Sequence, residues 1–329
     1  VKELFINGLA ELENQTVTGF FVAVTRQLRT KADGSTYLAL TLADRTGQIE
    51  GRMWEAAEAG DCKAGDVVKV RGQVCRYQEK LQLKVDKLRR ADDPADASFF
   101  ELGDFVPKTD FDIDLLWTKL EAYVAGFTDR HLKQLVHLFI DDPAIGPALR
   151  EAPAAKSLHH AWIGGLLEHI VSLLDICALA ANHYWGVNRD LLLTGAILHD
   201  IGKVRELRWG TSFEYTAEGQ LVGHIPTGLA MLEQRIALIP DFPSRLKLLV
   251  QHMILSHHGR YEFGSPKLPM IPEAMLLHYL DDLEAKMQTM RSELARSVAG
   301  GRSAGELTDW VRALERPVLD THGFLAGED

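Results

Sequence analysis

Residues 191–207 read LLLTGAILHDIGKVREL. The run Leu191–Leu198 is apolar enough for a buried helix, and it ends on His199-Asp200. Gly202, just beyond, is expected to let the backbone turn. An imidazole and a carboxylate side by side at a helix end can both reach one divalent ion. The alternative is a histidine favoured by the helix dipole beside a solvated aspartate. The neighbours decide between them. His169 lies thirty residues earlier in GGLLEHIVSLL, which allows two helices to face each other. His224 opens a helix in LVGHIPTG, and His257-His258 closes one in LLVQHMILSHHG. Asp281, in LLHYLDDLEAKM, sits on an apolar helix where a buried carboxylate needs a partner. A metal ion is such a partner.

Helical periodicity extends over this whole half. DLLWTKLEAYVAGF and HLKQLVHLFI carry apolar residues at threes and fours, and further helices are expected near 163–185, 189–200, 226–239, 243–256 and 272–296. RWGTSFEYTAEGQLVGH (208–224) reads as a short hairpin or loop between helices. The most apolar stretch, Ile163 to Ala181, contains Glu168, His169 and Asp175, so a buried helix is expected there and not a membrane span.

Residues 16–90 have a different period. TVTGFFVAVTRQL, YLALTLAD, QIEGRMW, DVVKVRGQVCRY and LQLKVDKL are five β-rich runs, separated by turns such as Ala32-Asp33-Gly34 and Arg45-Thr46-Gly47. A five-stranded barrel of this length suits an OB-fold, whose strand 2–3 face binds oligonucleotides. The fold class expected is therefore multidomain α and β, with an N-terminal five-stranded OB-type β-barrel followed by an all-α domain. Residues 93–110 form a linker marked by Pro94 and Pro107; Phe99, Phe100 and Phe105 imply that it lies against something.

The 329-residue chain has a net charge of −10. Residues 1–92 hold 15 Lys and Arg against 13 Asp and Glu, so of the totals of 36 and 46 the remainder holds 21 against 33. Within the first part, Lys63–Arg90 carries nine basic and three acidic residues, a basic stripe on an acidic protein. The three cysteines, Cys62, Cys75 and Cys177, are too scattered for a disulfide framework. With no basic-then-apolar start in VKELFINGLAELENQT, a cytoplasmic location is expected.

The order His169, His199-Asp200, His224, His257-His258, Asp281 resembles the HD-domain metal phosphohydrolases. The surrounding text, HHAWIGGLLEHI, ILHDIGKVREL, GHIPTG, ILSHHGRYEFGSPKLP and HYLDDLEAKM, is similar to YhaM-like 3′→5′ exoribonucleases, which also carry an OB-fold before the HD domain. Glu284 departs from that pattern, and the first sixteen residues match poorly. The resemblance implies an OB domain over 1–92, a linker over 93–110, an HD domain over 111–300 and a tail over 301–329. It also implies one ion held by His169, His199, Asp200 and Asp281, with Asp200 bridging to a second held by His224, His257 and His258. Such mixed ligands suit Mn, Fe, Ni or Zn better than Mg or Ca. Asp200 and Lys203 are the expected catalytic residues, Lys203 neutralising charge on the phosphoryl group.

Substrate contacts are expected from His159 and His160 before the first ligand helix, and from Arg260 in the loop after His258. His278, one turn before Asp281, is expected to orient it, and His252 to be core or to support the ligands from behind. On the barrel, Arg52, Trp54 and Tyr77 are the expected strand contacts, with Phe21, Tyr37, Arg76 and Lys80 as further candidates. The implied activity is a metal-dependent 3′→5′ exonuclease acting on single-stranded RNA, or on single-stranded DNA, with no membrane partner. Two alternatives stay open: a phosphohydrolase of small nucleotides or cyclic dinucleotides, and a non-catalytic nucleic-acid-binding protein. The apolar tail Trp310 to Leu319 offers a surface for a homo-oligomer.

Overall fold

The computed structural model describes residues 2–30, 34–55, 59, 61–78, 80–156 and 160–327. Two compact units are present: Val1–Lys108 with Trp209–Glu214, and Thr109–Arg208 with Tyr215–Asp329.

The first unit is a closed barrel of β1 (Thr16–Thr30), β2 (Thr36–Asp44), β3 (Gly47–Met53), β4 (Val67–Tyr77) and β5 (Lys80–Arg90), in the order β1-β2-β3-β5-β4. The five expected strands are the five observed. The Ala32-Asp33 part of the first expected turn lies outside the described residues. Closure depends on β1 serving two neighbours. Thr16–Val22 pairs with β4, Val22–Thr30 pairs with β2, and a register shift between Ala23 and Thr25 bends the strand between them. A parallel β3–β5 pairing joins the remaining edges. Phe21, Leu38, Leu42, Met53 and Leu83 fill the interior, and Ile6 and Leu9 of an N-terminal 3₁₀ turn pack on them. Each such side chain contributes about 1.5–3 kcal/mol by leaving water.

Residues 93–108 are not a free linker. Phe100 and Phe105 cover Phe20 on the outside of the barrel, with ring centroids 5.1 Å apart for Phe20–Phe100 and for Phe100–Phe105. Adjacent residues of a strand face opposite sides, so Phe21 points inward and Phe20 outward, yet both are buried. Phe21 is therefore a core residue and not a strand contact, as a correction to the sequence reading.

The second unit is helical: α1 (Ile113–Ala125), α2 (Arg130–Ile140), α3 (Ile145–Glu151), α4 (Gly165–His183), α5 (Arg189–Leu198), α6 (Lys203–Glu206), α7 (Ala217–Leu221), α8 (His224–Ile236), α9 (Ser244–Ser256), α10 (Pro272–Ala299) and α11 (Thr321–Ala326). The expected hairpin is present as β6 (Leu207–Trp209) and β7 (Phe213–Tyr215). Asp112, Asp129 and Asn188 cap α1, α2 and α5 by accepting backbone N–H bonds. Helix α4 has the length and apolarity to cross a membrane, but it packs against α1, α3, α5 and α10. Every residue of α5 from Asp190 to Leu198 is buried. The His199-Asp200 pair is thus delivered from the centre of the unit. At the far end of α10, Val311, Leu314 and Val318 of the tail are buried against Met290 and Leu294. Those apolar residues pack within the chain, whereas Trp310 is exposed.

Gly72 tests the barrel. A second register shift falls between Arg71 and Gly72, and a Cβ at Gly72 would lie 2.4 Å from the backbone oxygen of Lys84. Gly72→Ala is expected to destabilise the barrel by about 1–3 kcal/mol, read as a lower midpoint in denaturant. An unchanged midpoint would contradict the close approach.

Candidate functional site

Five helical segments meet at Asp200. His169 comes from α4, His199 and Asp200 from the end of α5, His224 from the start of α8, His257 and His258 from the end of α9, and Asp281 from α10. The Nε2 atoms of His169 and His199 are 3.3 Å apart, and His169 Nε2 lies 3.2 Å from Asp281 Oδ1. His199 Nε2 is 3.3 Å from Asp200 Oδ2 and 3.8 Å from Asp281 Oδ1. The other carboxylate oxygen faces the second group: Asp200 Oδ1 is 3.4 Å from His224 Nε2 and 3.7 Å from His257 Nε2. His224, His257 and His258 also offer three ring nitrogens within 4.8 Å of one another. The structure thus brings all seven expected ligands together, in two groups that share Asp200.

The hydrogen bonds show whether these groups suit a metal. In each ring Nδ1 is already engaged: His199 with Ala196 O, His257 with Ile254 O, His258 with Phe263 O, His224 with Glu206 Oε1 and His169 with Glu284 Oε2. An Nδ1–H that donates outward leaves an Nε2 lone pair directed inward, the usual arrangement of a metal-binding histidine. Asp200 Oδ1, His224 Nε2 and His257 Nε2 are buried without a hydrogen-bond partner among the described residues. Three converging buried acceptors would each be costly alone, and a cation satisfies them together. Ligands held about 2.0–2.2 Å from one ion fall naturally at these mutual separations. The residues fit a divalent metal.

The electrostatics agree. Burial would push the Asp200 carboxyl up, but Lys203, His199 and His224 hold it well below the usual range. Burial likewise opposes ionisation of Asp281 and Glu284, and is outweighed, chiefly by His169 for the first and by His160 and His169 for the second. Both stay ionised. His169 is pushed up to about 10: burial favours its neutral form, but bonds to Asp281 and Glu284 favour the cation more strongly. Burial moves His257 and His258 the other way, so they are neutral donors at ordinary pH. Lys203 Nζ lies 2.6 Å from Asp200 Oδ2, and that carboxylate keeps the lysine charged despite its burial. An open pocket of about 230 Å³ is lined by Asp200, Lys203, His257, His258, Phe263 and Asp281.

Several expectations need correction. His160 is not a solvent-facing contact. It is 1% exposed, with Nε2 2.9 Å from Glu284 Oε1 and Nδ1 3.5 Å from Glu168 Oε1. Glu168 accepts in turn from Thr109 Oγ1 and Trp162 Nε1. His160 therefore braces Glu284, which braces His169. Its neighbour His159 lies outside the described residues. Glu284 departs from the family pattern in the sequence, whereas in the structure its carboxylate is the group that orients His169. Glu206, which fixes His224, was also missed, because nothing in the spacing of KVREL distinguishes it from a solvated glutamate. His278 makes no hydrogen bond to Asp281 among the described residues; its Nδ1 donates to His257 O. His252 accepts from Met270 N–H. Arg260 is exposed with its guanidinium over Phe263, which lines the pocket.

Gly202 also acts differently from the expectation. Its φ of −64° and ψ of −20° suit any residue. A Cβ there would lie 2.0 Å from His224 O. Glycine is needed for close approach of the metal-pair loop to the start of α8, not for a turn.

On the barrel, Tyr37 and Trp54 are in ring contact at 5.2 Å, and the Arg52 guanidinium lies 5.0 Å from the Tyr77 ring centre. Trp54 and Tyr77 are 40% and 51% exposed, enough area for a base to stack. Arg52 and Tyr77 line a shared pocket with Lys80. Arg76 is turned to Glu13, 3.1 Å away.

Comparison with known proteins gives the same division. Residues 166–286 match the family model described as HD domain, and residues 16–91 match the OB-fold nucleic acid binding domain. The chain is 35% identical to the 3′-5′ exoribonuclease YhaM of Geobacillus sp. (strain WCH70), over 86% of this chain and 85% of that protein. It is 34% identical to the 3′-5′ exoribonuclease YhaM of Bacillus subtilis (strain 168), over 86% and 88%. Among solved structures, the second OB-fold domain of replication protein A from Methanococcus maripaludis is 27% identical, covering 27% of this chain and 94% of that one, with a TM-score of 0.23.

The geometry makes two predictions. Glu284→Gln keeps the shape but removes the charge that holds His169, so metal affinity is expected to fall about 10–100-fold. Equilibrium metal binding measures this, and an unaltered affinity would remove Glu284 from the site. Metal binding should also release about one proton near pH 8, because His169 is protonated below about 10 and must be neutral to bind. Affinity should accordingly rise with pH across the neutral range. Calorimetric binding heats that do not depend on the ionisation enthalpy of the buffer would contradict this.

Proposed function

Because the chain belongs to the YhaM-type 3′-5′ exoribonuclease family, we propose that its two-part histidine–aspartate site hydrolyses the terminal phosphodiester of single-stranded RNA from the 3′ end, releasing nucleoside monophosphates. The observation that carries this reading is the Asp200 carboxylate, buried with one oxygen toward each of two imidazole groups.

His169, His199, Asp200 and Asp281 would hold one ion. Asp200, His224, His257 and His258 would hold the other. Mixed imidazole and carboxylate donors favour manganese, iron, nickel or zinc over magnesium or calcium. Divalent ions there would supply Lewis-acid polarisation of the phosphodiester and acidification of a water. The side chains supply the rest. Asp200 stays ionised, His257 and His258 stay neutral, and Glu284 and Glu206 hold His169 and His224 in register. Lys203 presents an ammonium in the same pocket, where a non-bridging phosphate oxygen gains charge during hydrolysis. None of this requires a covalent nucleophile. The barrel supports a strand as the substrate: exposed Trp54 and Tyr77 offer sequence-tolerant stacking, and Arg52 offers a phosphate contact.

The test uses RNA labelled at either end, incubated with the protein and Mn²⁺. A 3′ label should leave at once as mononucleotide, and a 5′ label should give a ladder of shortening strands. Asp200→Ala should lower the rate by about 10²–10³-fold or more while strand binding persists. Release of the 5′ label first, or no degradation under metal-replete conditions, would overturn the proposal.

A further inference from the structure

We propose that the outer β1–β4–β5 face of the barrel is a second binding site for the phosphates of a single-stranded nucleic acid, separate from the aromatic β2–β3 face. This inference rests on the strand-binding reading above and extends it to a surface that neither the sequence candidates nor the metal chemistry used.

Strand register builds the face. Phe20 pairs with Lys69, which pairs with Arg89; Thr18 pairs with Arg71, which pairs with Lys87. Cross-strand partners share a side, and these residues alternate with Val68, Val70 and Leu88, which are buried in the barrel. Four cations therefore project outward from two adjacent strands, around a cavity of about 390 Å³. Four of the nine basic residues of the stripe Lys63–Arg90 stand here.

The cations differ in a way that suits a polyanion. Lys69 and Arg89 share the buried carboxylate of Asp96, at 3.1 and 2.6 Å, from the segment that follows β5. That pair is anchored and its geometry is set in advance. Arg71 and Lys87 are exposed and have no ion pair among the described residues. Asp92 and Asp93 also lie near Arg89, so the local excess of positive charge is carried by Arg71 and Lys87, on a chain whose net charge is −10. A concave wall concentrates such a field, and neighbouring phosphates of a strand are the repeated anions that fit it.

An aromatic ring at the rim narrows the ligand further. Phe99 is 51% exposed and stacks on Phe20, with centroids 6.1 Å apart and ring planes 14° from parallel. Lys69 Nζ lies 5.0 Å from the Phe20 ring centre and 5.6 Å from that of Phe99. A ring with one open face beside a row of cations offers a base and its phosphate contacts at once. A simple inorganic anion would have no use for the ring.

The experiment measures binding of a fluorescent 30-nucleotide single strand to the full chain, without added metal, across a salt series. The double variant Arg71→Gln/Lys87→Gln is compared with the parent. Arg291→Gln/Arg312→Gln, exposed cations of the helical unit, controls for net charge. Two lost phosphate contacts should make the slope of log affinity against log salt shallower by about 1.4, at about 0.7 per contact, while the control keeps the parent slope. Phe99→Ala should weaken binding without changing the slope. A parent slope in the Arg71/Lys87 variant would overturn the inference even while the parent binds strand, as would an equal change in the control. If the parent bound no strand at all, the strand-binding reading itself would fall with it.

Discussion

A carboxylate buried among imidazoles is the constraint on which the helical unit depends. Asp200 is delivered by a helix with no exposed face, into a place where its charge has lost its water. Taking an ion out of water costs several kcal/mol unless its surroundings repay it. Lys203 repays part on one oxygen. The other oxygen faces two imidazole nitrogens that are themselves without partners among the described residues. That unmet demand is the physical content of the site: it makes the cluster costly as a structural core and favourable as a cradle for cations.

Much of the surrounding structure keeps the cluster in that condition. Backbone carbonyls one helical turn back hold His199 and His257, and carboxylates hold His169 and His224. The latter support is itself supported, since Glu284 is braced by His160 and His160 by Glu168. Gly202 lets the loop after Asp200 lie against the first turn of α8, which a methyl group would prevent. Ligand geometry is thus determined several residues away from the ligands, through groups whose own chemistry is ordinary.

The barrel solves a different problem. A small closed sheet must bury apolar side chains inside while leaving outer positions for recognition, and alternation along each strand does both. One surface carries exposed aromatic rings, Trp54 and Tyr77. Another carries rows of cations across two strands, set by the pairing of β4 with β5. The aromatic segment after β5 covers only one end of that second surface, through Phe20.

The sequence by itself determined the two periodicities, hence a five-stranded barrel followed by helices, and its resemblance to the HD phosphohydrolases pointed to the seven candidate ligands. The periodicities are local signals, because a period of two or of 3.6 is written into consecutive residues; the HD pair is ambiguous alone and takes its meaning from histidines and an aspartate on other helices. Only the tertiary structure decided which polar residues stand behind those ligands. Glu284 and Glu206 resemble solvated glutamates in the chain, and His160 resembles a loop histidine, because burial and pairing at separations of 18 residues (Glu206 with His224) and 124 (His160 with Glu284) leave no local trace. The same holds for Phe20, whose covering rings come from a stretch that reads as a linker. Gly202 is the plainest case: its letter suggests a turn, whereas the reason for it is the backbone of another helix 2.0 Å from where its Cβ would be.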